Sequence, residues 1–341
     1  MPTASLPLVV LEGLEFKANL LAREDAQTEK LTRRWLAMER RLLPRFEALA
    51  LEAANWQAAG GIVTRSTLTS TPGYQIFLAQ TTDELNQYTA ETDETITDEQ
   101  KILIALGILY AILLIRTYYE TFGLPILPFP ALTPAVLEYL AGLAGNGSAL
   151  RILLAEAFPE AVDAMIEMLV QGIALGKPPA QIAKEMAEAF GIGLTRALNI
   201  ARTEQLRVYR EASLAQYRES GVVAGYMRLS ARDNRVCPAC LFLDDGKTVY
   251  PLNVPFEEHP QGRCIPIPVL IGVPVVQWQN GMDWYLAQNE QMQKSILGKG
   301  RWEAWQAGEF ELADVIKHVD DETWGGSFVP KALRDLIGKI E

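Results

Sequence analysis

The stretch that decides the fold of the C-terminal half is VCPACLFLDDGKTVYPLNVPFEEHPQGRC, residues 236–264. It holds all three cysteines of the chain and one of its two histidines. Two cysteines in a C-x-x-C spacing can bind one metal ion from a tight turn. A hairpin can then bring a histidine and a third cysteine to the same ion. The stretch therefore predicts a small, turn-rich module around these four side chains.

Three sulfur donors and one imidazole form a tetrahedral set that suits zinc. We therefore predict one structural Zn²⁺, with these ligands: Cys237, Cys240, His259 and Cys264. The spacing differs from that of a standard zinc finger, and two other interpretations remain open. The cysteines can be small buried thiols beside a hydrogen-bonded histidine. Alternatively, the C-x-x-C pair can be a redox site, although such a site is expected near a βαβ pattern rather than among turns.

The residues on either side of this stretch carry strand patterns. Apolar and polar residues alternate over residues 226–231, which is typical of a half-buried strand. Asp245-Gly246 lies between two short apolar runs and predicts a hairpin turn. A further apolar run occupies residues 265–271. We therefore predict a β-rich Cys/His module over about residues 225–270.

Most of the remaining chain carries helical periodicity. Apolar residues recur at three- and four-residue steps over residues 15–58, which predicts a long helix. Residues 64–82 are rich in Ser and Thr around a Pro-Gly pair and predict a loop. The apolar run 102–115 predicts a buried helix that continues to about residue 122. Its fourteen residues are fewer than the roughly 20 needed to cross a bilayer, so no membrane association is expected.

Together these patterns predict an α+β, mostly α protein. Long helices accompany the small β-rich Cys/His module, and a short helical tail ends the chain. The predicted regions are an N-terminal helical region (1–122), a Pro-rich linker (123–147), a domain containing the Cys/His module (148–280) and a Trp- and Gln-rich helical tail (281–341).

Composition narrows the possible functions. The chain has 341 residues, of which 49% are hydrophobic and 21% charged, an ordinary globular balance. Its net charge of −11 argues against general attraction to nucleic acid. With only two histidines, most histidine-based catalytic schemes are excluded. The N-terminus lacks the basic and apolar pattern of a secretory signal, so we expect a reducing cytoplasm, where cysteines tend to bind metal or stay free.

Several short motifs follow one another in a fixed order. They are A-R-T-E within a helix, the C-x-x-C element, L-D-D-G, and H-P-Q-G-R-C. The motif residues with an expected structural role are Arg202, Thr203, Glu204, Asp233, Asp245, Gly246 and Arg263. This order resembles the phage head morphogenesis family, the minor head proteins similar to the Mu F protein, over about residues 165–300. Many members read H-P-x-C-R-C, whereas Gly262 stands here in place of the first of those cysteines, so Cys264 must act without that neighbour if the family site binds metal.

The resemblance implies structural work in a virion rather than catalysis. The expected protein is a non-enzymatic minor capsid protein of a tailed phage or prophage, which associates with the portal and assists head assembly or DNA ejection. The implied partners are the portal protein and other capsid or scaffold proteins, with incidental contact to packaged DNA. The implied location is the phage head, after assembly in the host cytoplasm. Arg202 is expected to hold the strand-rich module against the helix.

An arginine-rich helix face accompanies these motifs. Residues 193–235 contain eight arginines, no lysine and four acidic residues. The arginines predicted to contact DNA or the portal are Arg196, Arg207, Arg210 and Arg218.

Two alternatives come from other functional classes. One is a DNA-binding adaptor that uses the arginine face. The other is an enzyme, either a metal- or nucleic-acid-dependent hydrolase or a toxin-like transferase, that would use Cys237, Cys240, His259 and Glu204.

Overall fold

The computed structural model describes residues 6–145 and 147–338 and confirms a mostly helical α+β fold. The helices are α1 (Leu8–Ala58), α2 (Arg65–Thr69), α3 (Pro72–Thr121), α4 (Leu150–Ala155), α5 (Pro159–Ala174), α6 (Pro179–Phe190), α7 (Ile192–Ser220), α8 (Pro238–Leu243), α9 (Gly281–Leu286), α10 (Glu290–Leu297), α11 (Lys299–Gln306) and α12 (Leu333–Leu336). The strands are β1 (Val223–Leu229), β2 (Tyr250–Pro251), β3 (Ile265–Leu270), β4 (Ile316–Asp321) and β5 (Gly325–Pro330).

The chain divides into two compact units. The first, which we call the sheet unit, contains the residues up to Arg23, Glu99–Ala141 and the residues from Thr203 onward. The second, which we call the helical unit, contains Glu24–Asp98 and Gly142–Arg202. Each unit therefore draws on segments that are distant in sequence. The predicted region boundaries near residues 122, 147 and 280 stay a prediction.

The helical unit has an aromatic core centred on Trp35 of α1. This side chain is fully buried, and its ring stacks on Phe190 at a centroid distance of 4.8 Å. Tyr88 of α3 meets the same ring edge-on at 5.1 Å. A Cβ atom added at Gly193 would lie 2.8 Å from Cη2 of Trp35, so the indole requires a residue without a side chain there.

The sheet unit contains a three-stranded antiparallel sheet in the order β2-β1-β3. In this sheet Met227 pairs with Ile267 and Leu229 with Ile265. Strand β3 contains two prolines and lies at the edge of the sheet, where a missing backbone N–H is tolerated. The hydroxyl of Tyr217 in α7 donates to the carbonyl of Pro266 at 3.0 Å and ties that helix to the strand.

The apolar helix α3 is longer than the sequence indicated. By length and composition it contains a window able to cross a membrane, contrary to the expectation drawn from residues 102–115 alone. However, 56% of that window is buried inside the protein. Ile104, Ile115 and Tyr118 of this helix belong to the core of the sheet unit. This burial agrees with the predicted core helix.

After α3 the chain forms an extended segment, as its prolines predicted. We call residues 122–133 the strap. Gln216, fully buried in α7, holds it: the Leu132 N–H donates to Oε1 of Gln216 at 2.8 Å, and Nε2 of Gln216 donates to the Pro130 carbonyl at 2.9 Å. The side chain of Gln216 therefore holds the strap through two backbone groups of the strap, and these bonds do not involve the side chains of the strap.

Two predictions about turns were wrong. Residues 64–82 form α2 and the start of α3 rather than a loop, because Thr64 caps α2 and Pro72 occupies the first turn of α3, where its missing N–H is harmless. The predicted hairpin at Asp245-Gly246 is also absent, since the preceding apolar residues form the end of α8. Asp245 instead accepts the backbone N–H groups of Lys247 and Thr248 and closes a local turn.

The C-terminal tail is helical only in part. Helices α9 to α11 confirm the prediction, but β4 and β5 form an antiparallel hairpin that the sequence analysis missed. Its register pairs His318 with Phe328 and Lys317 with Val329. Both strands are short and mostly half-exposed, so they lack the strong apolar alternation by which a strand is recognised in a sequence.

Helices α3 and α7 approach closely at Gly107, which gives a test of the packing. A Cβ atom at this position would lie 2.7 Å from the backbone oxygen of Tyr209, which cannot move aside as a flexible side chain can. We expect Gly107→Ala to destabilise the protein by about 1–3 kcal/mol, despite the better helix propensity of alanine. The measurement is urea denaturation followed by circular dichroism.

The matched control is Gly300→Ala in α11. There the nearest atom to an added Cβ is Cδ2 of Leu333 at 3.2 Å, the end of a flexible side chain. We expect this variant to be neutral or slightly more stable, by up to about 1 kcal/mol. Equal stability of the two variants would contradict the close contact between α3 and α7.

Candidate functional site

The sheet unit brings the predicted metal ligands into one region. Cys237 precedes Pro238, the first residue of α8, so that Cys240 follows one helical turn later on the same side. The Sγ atoms of both cysteines and a ring nitrogen of His259 all lie within 4.8 Å of one another. Cys264 directly precedes β3 and joins Cys240 and Glu258 in a second group of the same size. Cys240 therefore links two overlapping groups of donors.

His259 has one ring nitrogen engaged by the backbone and the other directed at the donors. Its Nδ1 lies 2.7 Å from the Pro260 carbonyl, to which it can only donate. This contact assigns a proton to Nδ1, so Nε2 is the nitrogen that can bind a metal once it is deprotonated, as in many metal-binding histidines. The Nε2 atom lies 3.5 Å from Oε1 of Glu258.

The surroundings of Cys237 favour its thiolate. A hydrogen bond from Cys240, together with one from His259, lowers the pKa of the Cys237 thiol to about 5. Although burial disfavours the charged ring, the hydrogen bond to Cys237 and the charge of Glu258 raise the pKa of His259 to about 9. The thiolate is the form of cysteine that binds metals and attacks disulfides.

Glu258 is a member of the site that the sequence analysis missed. It is buried, and its carboxylate accepts hydrogen bonds from Nη2 of Arg228 at 2.9 Å and from the Cys240 thiol at 2.8 Å. Although burial penalises its charge, Arg228 lowers the pKa of Glu258 to about 2. A Cβ atom at Gly262 would lie 2.1 Å from Cγ of Glu258, so the carboxylate side chain fills the space over that glycine. Its position next to His259 was the one signal available in the sequence.

Arg228 itself is held on three sides. Its Nη1 donates to the Glu257 carbonyl at 2.8 Å, while Nη2 reaches Glu258. The guanidinium carbon lies 4.1 Å from the centroid of the Phe256 ring. Burial opposes the charge of this guanidinium, but the attraction of Glu258 prevails and raises its pKa. The buried ion pair therefore joins the middle strand β1 to the segment that carries His259.

Cationic side chains surround Cys264. Those that interact with it electrostatically are Lys17, Arg210, Arg228 and Arg232. Lys17 of α1 is only 5% exposed, and its Nζ has no hydrogen-bond partner. Burial lowers the pKa of Lys17 to about 8. A buried ammonium without a hydrogen-bond partner is costly, so negative charge held in this region would be stabilising.

The space among the donors is small. The cavity there measures about 30 Å³, room for an ion or a single water molecule but not for an organic substrate. Its lining residues are Ala231, Arg235, Val236, Cys237, Cys240, His259, Gln261, Arg263 and Cys264.

The other motif residues brace the site from outside. The hydroxyl of Thr203 accepts the Gln261 N–H at 3.0 Å, and Gln261 has a positive φ of 62°, a strained value for a residue with a side chain. Arg263 makes two hydrogen bonds to Asp233, of 2.7 and 2.9 Å. These bonds hold the H-P-Q-G-R-C segment at both ends.

Three further motif residues lie away from the donors. Glu204 is fully buried and pairs with Arg207 at 2.6 Å. Gly246, with a φ of +69°, follows the turn residue Asp245 and packs beside the backbone of Asn280. Arg202 pairs with Glu24 at 3.0 Å within the helical unit, and its expected role in holding the strand-rich module stays a prediction.

The side chains of the arginine face are less available for contact with DNA or a protein partner than the sequence indicated. Arg196 is exposed and pairs with Glu160, whereas Arg207 is held by Glu204 and Glu211. Arg218 donates to the Leu252 carbonyl at 3.0 Å. The prediction that Arg210 contacts a partner was wrong. Its side chain is buried against Phe256 and donates to the Gly262 carbonyl at 3.0 Å.

The tail tryptophans contribute mainly to a local core. Trp284, Trp302 and Trp305 are partly buried and pack against the apolar cluster that includes Tyr285 and Leu297. Trp302 Nε1 donates to the side chain of Gln293 at 3.2 Å, which accounts for the pairing of Trp and Gln in this region. These tryptophans therefore stabilise the tail.

Comparison with known proteins identifies the region that contains the site. Residues 163–265 match the family described as Phage Mu protein F like protein. This confirms the resemblance, and the match includes the motifs from Arg202 to Cys264. This part of the chain is thus similar to the Mu F-like family. No curated protein and no solved structure matches the chain significantly.

The Arg228–Glu258 pair can be tested directly. In Arg228→Met the carboxylate of Glu258 stays buried without its cation, so we expect a loss of about 3–5 kcal/mol in the free energy of unfolding. Methionine keeps apolar contact with Phe256, which limits the effect of lost packing. The measurement is urea denaturation at neutral pH.

The control is Arg41→Met. Arg41 also makes a close ion pair, with Glu84 at 2.6 Å, but its side chain is half-exposed. Water replaces the lost partner there, and we expect a change of about 0–1 kcal/mol. A loss in Arg228→Met no larger than this would show that the buried pair does not organise the site.

Proposed function

We propose that the protein is a minor capsid protein of a tailed phage or prophage, which binds the portal and assists head assembly and DNA ejection. The observation that carries this proposal is the match of residues 163–265 to the Mu F-like family. On this proposal the protein also contacts other capsid or scaffold proteins. It assembles in the host cytoplasm and remains in the phage head.

The geometry of the site supports a structural role over the enzyme alternative. Glu204, which that alternative uses as a catalytic group, is fully buried against Arg207. The space among Cys237, Cys240 and His259 measures only about 30 Å³. An enzyme needs a cleft that admits its substrate, and this space is too small for an organic molecule.

The strap offers a surface for the portal. Its large apolar side chains Leu124, Ile126 and Leu127 are 39%, 46% and 50% exposed, while Gln216 fixes its backbone. Exposed apolar residues on a fixed backbone are typical of protein interfaces, because they bury area without a large loss of conformational entropy. We therefore propose that the strap is covered by the portal in the assembled head.

The arginine face supports only incidental contact with packaged DNA. Arg196 is matched by Glu160, and Arg207 by Glu204 and Glu211, so little uncompensated positive charge remains at these positions. Binding to DNA through such residues is weak and falls steeply with salt. Tight, salt-resistant binding to DNA would instead favour the adaptor alternative.

Co-expression with the portal protein of the same phage tests the proposal. We expect a stable complex in affinity pulldown and in size-exclusion chromatography with light scattering. The variant Leu124→Ser/Ile126→Ser/Leu127→Ser should weaken this complex by about 100-fold, because it removes apolar anchors from the contact.

The control variant is Ile62→Ser/Leu175→Ser, which removes two apolar residues that are even more exposed, in the helical unit. We expect it to bind the portal as the wild type does. A wild-type monomer that ignores the portal and stays out of assembling procapsids would contradict the proposed function.

A further inference from the structure

We propose that the sheet unit holds one structural zinc ion, bound by Cys237, Cys240, Cys264 and Nε2 of His259. Glu258 lies beside this site and positions the Cys240 thiol and the His259 ring before the ion binds. The ion joins the N-terminus of α8 to the start of β3. Four protein ligands leave no open position, as in structural rather than catalytic zinc sites.

The donor geometry is the first support. Cys237, Cys240 and His259 already lie within 4.8 Å of one another, and Cys264 lies within the same distance of Cys240. The small cavity that these four residues line has the size of an ion. His259 also directs Nε2 at the other donors, because Nδ1 is held by the Pro260 carbonyl.

Charge balance is the second, independent support. The buried or half-buried cations around the cluster are Lys17, Arg210, Arg228, Arg232 and Arg263. The carboxylates that face them are Asp233, Asp244 and Glu258, together with Glu211 beside Arg210. Three thiolates around a zinc ion carry one net negative charge, whereas three neutral thiols carry none. In the first case the ammonium of Lys17, which has no hydrogen-bond partner, gains an anionic neighbour in addition to Asp233 and Asp244.

Cys264 is a better fourth ligand than Glu258. One oxygen of that carboxylate is held by Nη2 of Arg228 at 2.9 Å, and this ion pair neutralises its charge. Zinc also favours thiolates in closed structural sites. The side chain of Glu258 occupies the space that a side chain at position 262 would fill. From there it supports the cluster.

The site has a clear structural task. Between α8 and β3, the only regular element is the two-residue strand β2. A metal ion that joins Cys237 and Cys240 to His259 and Cys264 closes this long loop, and its binding energy becomes folding energy. The bound form requires three thiolates and a neutral imidazole, so the protons that these four groups carry before binding are released to solvent and the ring binds through the Nε2 lone pair.

Metal analysis of the full-length protein tests the proposal without any substitution. Protein purified under reducing conditions should contain about one zinc ion per chain by mass spectrometry. Replacement by Co²⁺ should give the absorption of a tetrahedral site, with a charge-transfer band as intense as three thiolates require. Removal of the metal by a chelator should lower the midpoint of thermal unfolding, and added zinc should restore it.

Matched variants identify the ligands. His259→Gln should abolish zinc binding, whereas His318→Gln removes the other histidine, which is half-exposed in β4, and should leave about one ion per chain. Cys264→Ser should also abolish binding. Glu258→Gln should weaken zinc affinity by about 10- to 100-fold without changing the cobalt spectrum, and Glu257→Gln should leave the affinity unchanged.

Three results would overturn the proposal. One is reduced, folded wild-type protein that contains no zinc, takes up no cobalt and unfolds at the same temperature with and without a chelator. The second is a Cys237–Cys240 disulfide in the native protein, which would assign the pair to redox chemistry. The third is loss of the metal in Glu258→Gln together with its retention in Cys264→Ser, which would make the carboxylate the fourth ligand.

Discussion

The buried ion pair between Arg228 and Glu258 is the interaction on which the rest of the site depends. It links the central strand β1 to the segment that precedes β3, and both side chains are almost completely removed from water. Neither charge is tolerable alone in such a place. Because Glu258 is held there, its free oxygen meets the Cys240 thiol and its neighbour His259 faces Cys237. The absence of a side chain at Gly262 makes this arrangement possible.

The same arrangement explains why a region similar to the Mu F-like family contains a cluster that looks catalytic in sequence. Thiols, an imidazole and a carboxylate are the groups of many active sites, yet here they enclose a space of about 30 Å³. Buried arginines and the brace between Arg263 and Asp233 close it on several sides. The same groups tie α8 to the segment before β3, which agrees with the structural role proposed for the protein.

Sequence reasoning recovered elements that depend on local chemistry. The long helices, the proline-rich strap and the strand β1 follow from periodicity and from the backbone limits of proline. Sequence reasoning failed where a single tertiary contact decides the position of a side chain. Arg210 looked like an exposed helix arginine but is buried against Phe256. The β4–β5 hairpin was missed because its strands are short and half-exposed.

By itself, the sequence determined which donors the site can contain, because three cysteines and a histidine in one short stretch are a matter of composition and spacing. It also determined the helical character of the chain and the family of residues 163–265. Only the tertiary structure decided that Glu258 joins these donors and that Lys17, far away in sequence, lies near Cys264. Periodicity reports which face of an element is buried, but partners distant in sequence are chosen by packing and by the need to pair every buried charge.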